Sequence, residues 1–91
     1  MGKVIWRKRA RADLAELIDY IAARNPDAAQ RLKSACESSG ERLADHPYLY
    51  RGGRVPGTRE CVVHPNYVLV YRIDNDTVWI LRILHARQQY P

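Results

Sequence analysis

Ninety-one residues, 46% of them apolar and 27% charged, make a single domain, one that buries about two thirds of its unfolded surface on folding. Fifteen Lys and Arg against ten Asp and Glu leave a net charge of +5, and the pI near 9.6 favours an anionic partner such as nucleic acid, the ribosome or an acidic protein. Cys36 and Cys61 lack CxxC or Cys/His spacing, which argues against a metal site, and no apolar run reaches signal-peptide or membrane-span length, so a cytoplasmic location without membrane contact is expected.

From the amino end, Lys3 to Arg7 alternates around Val4 and Trp6 and predicts a short strand with one buried face. From about Arg9 the spacing changes to Leu14, Leu17, Ile18 and Ile21, the stripe of an amphipathic helix. Asn25-Pro26 breaks it and opens a second helix, with Asn25 as N-cap and Pro26 at the first turn, where a missing N–H costs nothing. Its apolar line is Ala28, Leu32, Ala35, Cys36, Ser39 and Leu43, small enough at the start for two helices to approach as an antiparallel hairpin. Gly40 inside this helix costs about 1 kcal/mol relative to alanine.

His46-Pro47 ends the helix, and Tyr48 to Gly57 is expected to be a loop with at most a weak edge strand. Three strands follow: Thr58 to His64, Tyr67 to Asp74 and Thr77 to Leu84, separated by turns at Pro65-Asn66 and Asn75-Asp76. The last two are apolar on both faces. Simple alternation puts Val68 and Val70 opposite Leu69, Tyr71 and Ile73, and Val78 and Ile80 opposite Trp79, Leu81 and Ile83. The expected fold class is α+β: an N-terminal strand and a two-helix antiparallel hairpin packed on one face of a twisted, mainly antiparallel four-stranded sheet. The hairpin covers one face only, so the other is expected to remain as a concave surface.

Charge gathers at the ends. Residues 1–24 hold six basic and three acidic side chains, 25–46 hold three and four, and 47–91 hold six and three. The chain then closes on a polar tail, His85-Ala-Arg-Gln-Gln-Tyr-Pro91. Arg82, between Ile80 and Leu84, needs an anion or a carboxylate beside it, Glu60 and Asp74 being the candidates in the sheet. Arg51 and Arg54 in the glycine-rich loop, with Arg59 and Arg72 on the strands, form a second set of cations suited to a phosphate backbone or an acidic partner, solvated strand ends being the plainer reading of Arg59 and Arg72.

The order strand, two helices, three strands carries five fragments in sequence: Arg-Ala-Arg-Ala-Asp-Leu at 9–14, Arg-Leu-Ala-Asp-His-Pro at 42–47, Gly-Thr-Arg-Glu at 57–60, Val-Leu-Val-Tyr-Arg-Ile at 68–73 and Ile-Leu-Arg-Ile-Leu-His at 80–85. Together they resemble the RelE/ParE toxin superfamily over essentially the whole chain. The resemblance implies the toxin of a type II toxin–antitoxin module, held in a hetero-oligomer by a cognate antitoxin that binds through an acidic amphipathic segment. It implies no cofactor.

RelE-like members cleave mRNA on the ribosome; ParE-like members poison DNA gyrase without known nuclease chemistry. The fold is common to both, so only the site discriminates. For cleavage the resemblance points to His85 as proton-transfer group, Arg82 and Arg87 as phosphate clamps and Tyr90 as stacking or proton-donating tail residue. The structural alternatives are a strand-end His85, an ion-paired Arg82 and a Tyr90 that anchors the tail. One departure weighs against cleavage: RelE-like nucleases commonly place a phosphate-binding arginine before Leu-Val-Tyr, and here that residue is Val68. Lys33 is the last lysine, so the lysine pair of some ribosome-dependent members is also absent from the later loop and strands. The expected activity is therefore ParE-like gyrase inhibition, with ribosome-dependent mRNA cleavage as the alternative and a non-toxic binding module of the same fold as a third.

Overall fold

A computed structural model describes residues 2–87, so Tyr90 lies outside the described residues. Strand β1 (Lys3–Trp6) leads into helix α1 (Lys8–Ala22), helix α2 (Pro26–Asp45) and strands β2 (Arg59–His64), β3 (Tyr67–Asp74) and β4 (Thr77–His85). The sheet order is β1-β4-β3-β2, with β1 parallel to β4 and the other pairs antiparallel. The expected α+β architecture is the one observed.

Local chemistry accounts for the boundaries. The Asn25 Oδ1 accepts the Ala28 N–H at 3.0 Å, and Pro26 occupies the first turn of α2. Asn75 and Asp76 take positive φ, 48° and 63°, the left-handed pair that a two-residue hairpin needs to match strand twist. α2 runs unbroken through Gly40, which is buried against the sheet: a Cβ there would lie in ordinary contact, 3.4 Å from Trp6 Nε1 and 3.5 Å from Ile80 Cδ1. The helix therefore sits close against β1 and β4. The buried line of α2 is Ala29, Leu32, Cys36, Ser39, Gly40 and Leu43; Ala28 and Ala35, expected on it, are only half-buried.

The main core packs Ala10, Leu32, Cys36 and Leu43 of the helices on Cys61, Leu69, Tyr71, Val78, Ile80 and Ile83 of the sheet. The Tyr71 hydroxyl is deep in this layer and donates to the Pro47 carbonyl at 2.7 Å, tying the end of α2 to the central strand.

Two expectations about the sheet change. Tyr71 pairs with Ile80 but Val70 with Arg82, so Leu81 has no partner and forms a bulge. An extra residue reverses the alternation beyond it, which turns Ile83 toward the helices with Val78 and Ile80 instead of away from them. The far face is also not left as an open hollow around its centre. Val68, Val70 and Leu84 form a second cluster there, each at most 3% exposed, with Ala86 packed against it. Arg54 spans that face from the Glu60 carboxylate on β2 to the Ala86 carbonyl beyond β4, 2.7 Å from its Nη2.

Candidate functional site: a cleft between α1 and the end of β4

Strand β1 is short, and that creates the site. It pairs with β4 only from Thr77 to Ile80, and the Arg7 N–H closes the ladder by donating to the Ile80 carbonyl at 2.9 Å. Beyond Ile80 the outer edge of β4 faces α1 in place of a strand. Asp13 on α1 serves that edge: its Oδ2 accepts the Ile83 backbone N–H at 3.0 Å and the Arg82 Nε at 2.7 Å, while its Oδ1 accepts the Arg82 Nη2 at 3.2 Å. A carboxylate stands where a carbonyl would otherwise continue the sheet. The bidentate bond holds the Arg82 guanidinium in its charged form and raises its pKa, burial opposing this more weakly. The carboxylate that Arg82 requires is thus Asp13, neither Glu60 nor Asp74.

This arrangement borders a cleft of about 310 Å³ into which Arg82, His85 and Tyr67 reach from the sheet and Glu16 and Tyr20 from α1. Register sets His64, Tyr67 and His85 side by side on β2, β3 and β4. The Tyr67 ring centroid lies 5.4 Å from His64 and 5.5 Å, edge-on, from His85. Each histidine also closes a turn through Nδ1: His64 accepts the Asn66 N–H at 3.0 Å and His85 accepts the Arg87 N–H at 3.1 Å. A neutral ring that accepts at Nδ1 carries its proton on Nε2.

The remaining expected site residues lie elsewhere. The side chain of Arg87 is exposed and takes no part in lining the cleft. Arg51 and Arg54 converge on the buried carboxylate of Glu60 at 3.2 and 3.4 Å, and Glu60 also accepts the Arg54 backbone N–H at 3.2 Å. Arg59 donates to the Tyr50 carbonyl at 2.7 Å with its guanidinium 5.1 Å over the Tyr48 ring, beside a separate hollow of about 320 Å³. Arg72 is exposed on the far face, across from Trp79. The expected group thus divides among several surfaces: Arg82 and His85 share the cleft beside α1, and Arg51 and Arg54 share Glu60. Asp13, Glu16, Tyr20 and Tyr67 are additions. The sequence signalled only that Arg82 needed a carboxylate, because a contact spanning 69 residues leaves no local trace.

A second depression of about 420 Å³ runs between α1 and α2, floored by Trp6, Leu14 and Ile18 and rimmed by Arg11, Lys33, Asp19 and Glu37. Beside it a shallower one of about 660 Å³ follows β1 and α2 past Val4, Gly40 and Ala44. Among the described residues no three His, Cys, Asp or Glu side chains gather as a metal site, and no helix is long and apolar enough to cross a membrane.

Comparison with known proteins agrees with this architecture. A family model described as ParE toxin of type II toxin–antitoxin system, parDE, matches residues 4–90. "Toxin RelE2" of Caulobacter vibrioides is 41% identical over 87 residues, covering 94% of this chain and 97% of its own. "Putative toxin Y4kP" of Sinorhizobium fredii is 39% identical over 90 residues, 98% of this chain and 93% of its own. Among solved structures, the chromosomal ParDE system from P. aeruginosa superposes with a TM-score of 0.81 at 22% identity, over 93% of this chain and 96% of the other. The toxin–antitoxin complex RelBE2 from Mycobacterium tuberculosis gives 0.64 at 29% identity, over 92% and 96%. The chain belongs to the RelE/ParE superfamily and is the toxin of a type II toxin–antitoxin system.

Proposed function

We propose that this toxin acts in the ParE manner, by binding DNA gyrase and stalling it without covalent chemistry of its own. The observation that carries this reading is Val68. The RelE-like nucleases resembled here place a phosphate-binding arginine at that position, whereas this side chain is 1% exposed and packed with Val70 and Leu84. The neighbouring cations supply no replacement: Arg82 is held in a bidentate pair by Asp13, and Arg51 and Arg54 are drawn to Glu60. A phosphorane needs cations already aimed at it, and reorienting these would break partly buried pairs.

The ribosome-dependent nuclease remains the second reading, favoured by His85 and Arg82 sharing the cleft beside α1. Supercoiling by purified gyrase with and without the toxin separates the two. Inhibition that persists in His85→Ala supports the first. An unaffected gyrase, together with cleavage of ribosome-bound mRNA that His85→Ala abolishes, supports the second. Unimpeded growth on induction, at confirmed soluble expression and without antitoxin, would support an inert module instead.

The antitoxin partner is given a seat by the same reading. The groove between α1 and α2 has an apolar floor of Trp6, Leu14 and Ile18, with Arg11 and Lys33 on its rim. Asp19 and Glu37 share that rim, so the pattern suits an amphipathic helix laid with its apolar face inward and its acidic side chains set against Arg11 and Lys33. Ala15→Asp, at an exposed position that lines the same groove, is expected to abolish antitoxin capture in a co-purification assay while leaving the isolated toxin folded.

A further inference from the structure

The half of the far face that lies toward β1 contrasts with the half closed by Val68, Val70 and Leu84. Register lays out two rows across β1, β4 and β3: Lys3, Thr77 and Asp74, then Ile5, Trp79 and Arg72. Ile5 is 36% exposed, Trp79 and Leu81 are half-exposed, and Lys3 and Arg72 are open to solvent. The guanidinium of Arg7 lies 5.6 Å from the centre of the Trp79 ring. Three cations and one carboxylate therefore surround an aliphatic and aromatic centre.

We propose that this patch, centred on Trp79 and Ile5 and ringed by Lys3, Arg7 and Arg72, is the surface by which the toxin engages its target, and that the target presents an acidic protein surface with an apolar spot. Tryptophan and arginine are the residues that carry most binding energy in protein interfaces, and a polar rim around an apolar centre is the usual anatomy. The three-to-one charge ratio calls for negative charge opposite. A single-stranded nucleic acid fits less well. Arg7 already lies over the indole, one ring makes no stacking ladder, and Ile5 offers a base nothing but aliphatic contact. The patch faces away from the groove between α1 and α2, so target and antitoxin would hold opposite sides of the sheet. This inference deepens the binding reading given above, but its test does not depend on gyrase being the target.

The experiment compares growth inhibition on induction for the wild type, Trp79→Ala, Ile5→Asp and Arg72→Glu, alongside each protein's affinity for the antitoxin. Arg72 is exposed, so its charge reversal leaves the fold intact even if Trp79→Ala does not. The expected result is loss of growth inhibition in all three variants with antitoxin affinity unchanged, and binding to the target weakened about tenfold or more. Growth inhibition retained by Ile5→Asp and Arg72→Glu overturns the proposal. So does a wild type that does not inhibit growth, or one that binds a single-stranded oligonucleotide through Trp79. A gyrase unaffected by a wild type that still arrests growth would sink the choice of target, while the variant series would continue to judge the surface.

Discussion

Asp13 and Arg82, 69 residues apart, are joined by two hydrogen bonds of 2.7 and 3.2 Å at the point where β1 runs out and α1 takes over the edge of the sheet. Because the same carboxylate also accepts the Ile83 N–H, it fixes the strand segment just beyond the bulge at Leu81 as well as the guanidinium. Asp13→Asn keeps the shape but removes the charge. It is expected to lower unfolding free energy by about 2 kcal/mol, read from the denaturant midpoint, with the Arg82→Met variant on the same background adding little. Full additivity of the two would show that the pair is not coupled.

Glu60 is the corresponding anchor on the other side of the sheet, with its side chain 2% exposed and two arginines upon it. Glu60→Gln is expected to cost about 2 to 3 kcal/mol. It should also free residues 51–57, so that trypsin cleaves after Arg51 and Arg54 at enzyme concentrations the wild type survives. Equal proteolysis of both proteins would contradict the latch.

Restoring an arginine at position 68 does not restore a nuclease. A guanidinium there would enter the Val70 and Leu84 cluster, where the nearby Glu60 carboxylate is already taken by Arg51 and Arg54. Val68→Arg is expected to destabilise by about 3 kcal/mol or more, measured by thermal or denaturant unfolding, and to gain no activity on ribosome-bound mRNA.

Gly40→Ala runs in the opposite direction. The added methyl would meet Trp6 Nε1 at 3.4 Å and Ile80 Cδ1 at 3.5 Å, ordinary contact distances, while removing the glycine penalty from the middle of α2. Stability is expected to rise by up to about 1 kcal/mol. A fall would mean that helix and sheet are packed closer than these contacts imply.

Alkali should weaken the fold through its core. Burial, with smaller contributions from Cys61 and Glu37, pushes the Cys36 thiol up from its ordinary 9.0 to about 11. Burial likewise pushes the Tyr71 phenol up from 10.0 to about 12. In both cases the unfolded chain loses its proton first. The stabilisation is therefore complete below pH 9 and declines between about 9 and 11 for Cys36 and between about 10 and 12 for Tyr71. Unfolding titrations at successive pH values should show this decline, and Cys36→Ala should shrink its lower part, to which Cys61, its thiol also pushed up by burial, contributes the rest.

The elements themselves were legible in the residue order because their signals are local. The Asn25-Pro26 cap, the Asn75-Asp76 turn and the 3.6-residue stripe of α1 each act within a few positions, and β3 occurs at its expected bounds, Tyr67–Asp74. The family resemblance was legible for the same reason, since it rests on short fragments in order. What only the tertiary structure decided were the long-range pairings. Alternation along β4 has no means of signalling that Leu81 is skipped by β3, and a need for a carboxylate beside Arg82 does not say that α1 supplies it. The strand-to-helix handover at Ile80, the closing of the far face by Arg54 and the separation of the cations onto different surfaces follow from which segments meet in space. Local sequence sets what each segment is; contacts between residues distant along the chain set where its charges are spent.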